Sequence, residues 1–301
     1  MLIKKNYFLI VPFAATLLLT SCGGNKKEEN GDEISESDST KTEVVESQMT
    51  ETFFQVPSPG EMLAFIKKAG GSQNKNVSFL NNVDNQKKYT DAKSKAINFG
   101  IYSCDLSYCS IFQIGSEALK YFKTVKELGD QIGVSTAIKP ELIKRLESNL
   151  GNPDSLSIIT DDVYFSSFQT LEESKQGPTL CLVVAGGWIE SLYIVVNLSK
   201  YDEKSPVVAR LADQKYTLDN LIEFMKKHES DANVAPVIAQ FTELQAEFNK
   251  IDEKEVAPAV STDKSKKVLG GSTKELVLSA EQYKVIVEKI KSIRNSLTLA
   301  K

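Results

Sequence analysis

Two stretches of this chain are apolar on nearly every side of a helix, and they constrain the fold more than any other feature. They span residues 96–112 and 180–198. A helix that is hydrophobic all round is buried, either in the centre of a protein or in a membrane. The second stretch carries Glu190 near its middle, which argues against a membrane span. We therefore expect two central, buried helices, although the valines of 180–198 also favour a strand.

Amphipathic patterns elsewhere predict further helices. Apolar residues recur every three or four positions over 118–132 and 234–251, as in helices with one face on a core. Prolines that follow Ser58, Lys139 and Ser205 suit the first position of a helix. Strand-type alternation is scarce. The sequence predicts an all-α helical bundle over residues 56–251.

The two apolar stretches also resemble each other. When Gly100 is set beside Gly186, a glycine, an aromatic residue and a leucine coincide, and shorter matches follow downstream in the same order. This pattern suggests a tandem duplication of a helical unit, with repeats at about 92–172 and 178–251. The two buried helices would then cross near a pseudo-two-fold axis, and the two glycines would permit close approach of their backbones.

The candidate binding residues lie inside these same stretches. Asp105 and Glu190 are acidic residues in apolar surroundings, and a buried carboxylate must be paired, hydrogen-bonded or protonated. Together with four aromatic neighbours they could line a ligand pocket with aromatic walls and acidic anchors: Tyr102, Tyr108, Trp188 and Tyr193. The alternative is structural, with each carboxylate fixing the helix packing. A paired-carboxylate hydrolase is conceivable on the same residues, but nothing in their spacing favours it.

The amino terminus has the parts of a bacterial export signal. Two lysines precede an apolar run at 7–19, which is too short for a membrane span of about 20 residues. Leu19-Thr20-Ser21-Cys22 follows and resembles the lipobox of bacterial lipoproteins. The resemblance implies that residues 1–21 are cleaved as a signal peptide and that acyl chains such as palmitate are attached at Cys22. Several chains, at about 0.8 kcal/mol per buried methylene, would hold the protein to the bilayer.

An acidic segment separates the predicted anchor from the helices. Residues 22–55 carry nine acidic residues and three lysines and few apolar side chains, so we expect a disordered tether. Lys26-Lys27-Glu28-Glu29 resembles the export signal of Bacteroidota surface lipoproteins. That resemblance implies an outer-membrane location facing the cell exterior. A periplasm-facing lipoprotein is the alternative.

Composition excludes several classes of function. The net charge is −4, and residues from 56 onward are close to neutral, so no basic patch argues for nucleic acid. One histidine and no close metal-ligand spacing argue against a metal site, and no cofactor is expected. After lipidation three cysteines remain: Cys104, Cys109 and Cys181. We expect these three cysteines to be buried and to pack like small hydrophobic residues. A Cys104–Cys181 disulfide is the alternative.

In the carboxy-terminal region, the sequence predicts a linker at 252–274 and a helix at 275–301. An amphipathic helix of this length is marginal alone, so it either folds back on the domain, which we favour, or meets a partner. Through its lipobox and acidic tether, the chain resembles uncharacterised helical lipoproteins of Bacteroidota. We expect a non-catalytic module that binds an unidentified protein or small molecule. The alternative is a structural envelope protein that docks a partner through its last helix.

Overall fold

Ten α-helices and one two-stranded sheet form the described part of the chain, which in this computed structural model comprises residues 58–69, 75–256 and 273–299. The elements in chain order are α1 (Pro59–Lys68), a 3-10 helix (Val83–Lys88), α2 (Ala92–Ile111), α3 (Gly115–Ile132), α4 (Pro140–Ser148), α5 (Pro153–Glu173), α6 (Gly177–Leu198), α7 (Pro206–Ala212), α8 (Gln214–Lys226), α9 (Ala235–Phe248), β1 (Asp252–Val256), β2 (Thr273–Val277) and α10 (Ala280–Thr298). The predicted all-α class is confirmed. The predicted signal peptide and tether lie outside the described residues.

The helices begin where the sequence signals predicted. Helices α1, α4 and α7 each start at a proline, whose missing N–H is not needed in the first turn. Ser58 caps α1 by accepting a hydrogen bond from the Glu61 N–H. Helix α10 starts with a capping box, in which Ser279 and Gln282 bond each other's backbone N–H groups.

Helices α2 and α6 form the centre of the bundle. All residues of α2 from 96 to 111 and all residues of α6 from 180 to 192 are buried. Helices α1, α5 and α10 pack against both of them. Among the described helices, α6 is long and apolar enough to cross a membrane, and 89% of its apolar window is buried within the protein. The expected central helices are confirmed, and the strand interpretation of 180–198 is wrong.

The two central helices cross at the two glycines that the internal comparison aligned. A Cβ added at Gly100 would overlap the carbonyl oxygen of Val183, and a Cβ added at Gly186 would overlap that of Ile97. Each glycine therefore meets the carbonyl three residues before the other glycine. Such reciprocal contacts are what a two-fold axis between parallel helices produces. The expected close approach is confirmed.

The two halves share an order of four helices, α2 to α5 and α6 to α9. In both halves the third and fourth helices pack together. The halves differ in the second helix, because α3 has 18 residues and packs along α2, whereas α7 has seven residues and packs against α8 and β2. The tandem duplication itself stays a prediction.

The carboxy-terminal region differs from its prediction at the edges of the linker. Strands β1 and β2 pair antiparallel, so both ends of the predicted 252–274 linker are strands and α10 starts at Ala280 rather than at 275. The strands contain few apolar residues, and opposite charges stabilise the pairing, including Lys274 with Glu253 at 3.1 Å. The predicted linker between 257 and 272 lies outside the described residues.

Helix α10 folds back on the domain. It packs against α6, α9 and α2, and its buried face includes Ile286, Ile290, Ile293 and Leu297. This is the favoured of the two alternatives for the last helix. The face that sequence reasoning offered to a partner is occupied by the protein's own core.

We predict that Gly100→Ala destabilises the protein by about 2–4 kcal/mol, because the helices must separate to admit the new methyl group. The matched control is Gly151→Ala, where an added Cβ meets no atom within 4 Å. The control is expected to change the unfolding free energy by less than about 1 kcal/mol. Urea denaturation measures both, and equal effects would contradict the crossing.

Candidate functional site

A buried ionic cluster lies where α10 meets the two central helices. The guanidinium of Arg294 donates from Nε to Glu190 Oε2 at 2.8 Å and from Nη2 to Glu190 Oε1 at 3.0 Å. Glu190 is fully buried and Arg294 is 7% exposed. A bidentate pair fixes both distance and orientation, which a lysine could not do. The ion pair therefore sets how α10 sits on α6.

The third member of the cluster is Asp105 of α2, which is also fully buried. Its Oδ2 accepts a hydrogen bond from the backbone N–H of Asn81 at 3.2 Å. Its buried Oδ1 has no hydrogen-bond partner among the described residues, and the Glu190 carboxyl group lies close to it. Because Glu190 already pairs with the Arg294 cation, and a second buried carboxylate without a donor would be costly, we assign a proton to Asp105. Burial, and next the Glu190 charge, raise the pKa of Asp105 well above its ordinary value.

Arg294 is satisfied on its other sides as well. The guanidinium lies 4.3 Å from the centre of the Tyr193 ring, a cation–π arrangement. Its Nη2 also reaches the carbonyl oxygen of Phe79 at 3.5 Å. Burial alone would lower the pKa of Arg294, but the bonded Glu190 carboxylate raises it. With Asp105 neutral, the Arg294–Glu190 ion pair leaves the cluster without net charge.

Polar side chains around the cluster hold the end of α10. Tyr89 donates from its hydroxyl to the carbonyl of Thr298 at 3.1 Å, and Asn98 donates to the carbonyl of Leu297 at 3.1 Å. Asn81 connects the two by donating to Asn98 Oδ1 and to the Tyr89 hydroxyl. These bonds satisfy carbonyls at a helix end that would otherwise lack partners. The cluster and this network together form one buried polar layer.

The structure brings together only part of the predicted pocket. Asp105, Glu190 and Tyr193 meet around Arg294. The other three aromatic residues bond elsewhere: Tyr102 to the carbonyl of Asn82, Tyr108 to that of Asn76, and Trp188 to the Gln214 side chain.

None of the six predicted residues lines either of two surface grooves. One, of about 430 Å³, lies between α1 and the start of α5, and the other, of about 400 Å³, lies among α2, α9 and α10. Asp105 and Glu190 are fully buried, and their side chains bond to groups of the protein itself. This supports the structural interpretation of the two carboxyl groups. Cys22 lies outside the described residues.

Sequence reasoning missed Arg294, the cation that completes the cluster. A signal was present, because Arg294 stands four residues after Ile290 on the otherwise apolar face of α10. A charged residue in an apolar stripe indicates a buried partner of opposite charge. Asn81, Tyr89 and Asn98 were missed too, since their role depends on contacts distant in sequence.

The three remaining cysteines are free thiols and are buried, as expected for small hydrophobic residues. Burial raises the pKa of each thiol, that of Cys181 to about 12. The predicted alternative of a Cys104–Cys181 disulfide is wrong. Within the described residues, no group of three or more histidines, cysteines and acidic residues could hold a metal ion.

Comparison with known proteins gives no relative. No protein-family model, no curated protein and no solved structure matches the chain.

We predict that Asp105→Asn removes a pH dependence of stability. A carboxyl whose pKa is raised by folding contributes stability that is complete below its unfolded pKa of about 4 and is lost as pH rises toward the folded value. The free energy of unfolding of the unaltered protein should therefore fall as pH rises above about 4, by at most about 1.4 kcal/mol per pH unit for this group, and level off above the folded pKa. Asn can still accept the hydrogen bond from the Asn81 N–H and has no proton to lose, so the variant's curve should be flatter.

Burial raises the pKa of a second carboxyl, Asp161, to about 6, so Asp161 adds a fall of its own below about pH 6, which Asp105→Asn should leave in place. Asp130→Asn, at an exposed ion pair with Lys126, is the matched control. Urea denaturation at several pH values measures all three proteins. A slope that Asp105→Asn leaves intact would contradict the assignment of the proton.

We predict that Arg294→Met lowers the free energy of unfolding by about 3–5 kcal/mol, because Glu190 stays buried without its cation. The matched control on the same helix is Lys289→Met, which removes an ion pair with Glu243 at the surface. Exposed pairs contribute about 0–1 kcal/mol. Chemical denaturation distinguishes the two, and similar losses would mean that the buried pair is not special.

Proposed function

We propose that this protein is a membrane-anchored envelope lipoprotein whose helical domain is a non-catalytic binding or interaction module. Acylated Cys22 would insert in the bilayer, and the acidic segment 22–55 would hold the domain away from it. The proposal rests mainly on residues 19–22, where an apolar run ends in Leu-Thr-Ser-Cys and a charged segment follows.

The geometry of the domain favours a non-catalytic role over hydrolysis by Asp105 and Glu190. Both carboxyl groups are fully buried, and Arg294 holds Glu190 in a bidentate pair. A hydrolase needs its acid and base at a surface that substrate can reach. The carboxylates instead fix the position of α10, which is a structural role.

The alternative role, in which the last helix docks a partner, requires that α10 leave the domain. The apolar face of α10 is buried against α6 and α9. A partner could use that face only after α10 leaves the domain. We therefore rank binding by the intact domain first, with a protein or small molecule of the envelope as the ligand.

We predict that Cys22→Ala moves the protein from the membrane to the soluble fraction. Lipoprotein acylation requires the thiol, so incorporation of an alkyne-labelled palmitate should also be lost. Cys109→Ala changes a buried thiol instead and is expected to keep both label and location. A Cys22→Ala protein that stays membrane-bound with its label would refute the anchor.

The side of the membrane is tested separately, by protease treatment of intact cells with a periplasmic protein as control. We propose the outer membrane with the domain at the cell surface, because of the Lys-Lys-Glu-Glu segment after Cys22. Digestion of the domain with the control intact supports this. Digestion only after the outer membrane is opened would place the domain in the periplasm.

A further inference from the structure

Helix α10 is held on the two central helices by a buried ion pair as well as by apolar contacts. Helix α10 is the last element of the chain and follows the β1–β2 pair. Its buried face includes one charged residue, Arg294, which reaches into the core to bond Glu190. Buried ion pairs gain little net stability over apolar contacts, because both charges lose their hydration. Apolar residues at both 190 and 294 would hold the helix at least as firmly, so the charged pair indicates another role.

The position of α10 determines whether water can reach the carboxyl groups of Asp105 and Glu190. We call the structure with α10 packed on the domain the closed form. Helix α10 packs on α6 and α2, which carry Glu190 and Asp105, and Arg294 lies against Glu190. In the closed form the pair keeps one proton, because two negative charges would face a single guanidinium in a fully buried site. If α10 lifts away, the cation leaves and water reaches the pair. A hydrated carboxyl near neutral pH loses its proton.

The buried tyrosines and cysteines around the pair whose pKa values are raised stay uncharged. Burial raises the pKa of Tyr89, which precedes α2, and of Tyr121 in α3. It likewise raises the pKa of Tyr102, Cys104 and Cys109 in α2. Tyr193 of α6 faces the cluster through its ring, against Arg294. The proton shared by Asp105 and Glu190 is therefore the one that opening would release.

We propose that α10 is a releasable clasp, which closes with uptake of one proton by the Asp105–Glu190 pair and opens when that proton is lost. Release would expose the apolar face of α10 and the surface that it covers on α6 and α9. The clasp depends on contacts within the domain, so it holds whether or not Cys22 is acylated.

The test is hydrogen exchange of the purified full chain from about pH 5 to 9, which starts above the ordinary carboxyl pKa of about 4. Exchange is followed by mass spectrometry and corrected for the intrinsic exchange rate at each pH. Peptides of α10 should open before those of α2 and α6. Their opening constant should rise with pH, by at most tenfold per unit for release of one proton. Asp105→Asn should abolish the rise, whereas Lys289→Gln, at the exposed pair of the same helix, should keep it.

Three results would overturn the proposal. One is an opening constant of α10 that does not change with pH in the unaltered protein. Another is a rise with pH that Asp105→Asn leaves in place. The third is exchange of α10 only together with α2 and α6, because α10 would then open by global unfolding and not as a separate clasp.

Discussion

The rest of the structure depends on the close crossing of α2 and α6. Two backbones can approach this closely only where neither helix has a side chain, and Gly100 and Gly186 supply that gap from both sides. The crossing buries the most apolar helices of the protein against each other. Helices α1, α5 and α10 can then cover the pair. A side chain at either glycine would change the separation on which all these contacts rely.

The crossing also determines the ionic cluster. Asp105 lies five residues after Gly100, and Glu190 lies four residues after Gly186. Because the helices run in parallel from the crossing, about one helical turn brings both carboxyl groups to the same level. The closeness of these two carboxyl groups is thus a consequence of the glycine contact. An unusual pair of buried carboxyl groups then requires a proton and a cation, which Arg294 provides from the third helix.

The sequence predicted the helical class and the two central helices, because both depend on local periodicity. It also predicted their contact, because a glycine leaves a helix surface without a side chain at that position. It also identified Asp105 and Glu190 as buried acids. It could not supply Arg294, which is 104 residues from Glu190 along the chain. It misjudged β1 and β2 because charge pairs rather than apolar alternation hold them. Contacts between distant segments leave no periodic signal, and these were the contacts that sequence reasoning missed.

A buried charge also solves a problem of register for α10. Its apolar face repeats isoleucine at 286, 290 and 293, so the helix could slide by one turn along α6 and still bury apolar groups. A slip of one turn, about 5.4 Å, would separate Arg294 from Glu190 and leave two unpaired charges in the core. The apolar residues therefore hold α10 on the domain, and the ion pair selects a single position for it. Glu190 belongs both to the ion pair that fixes the position of α10 and to the carboxyl pair that holds the proton, so the position of the helix and its sensitivity to protonation both depend on this buried charge.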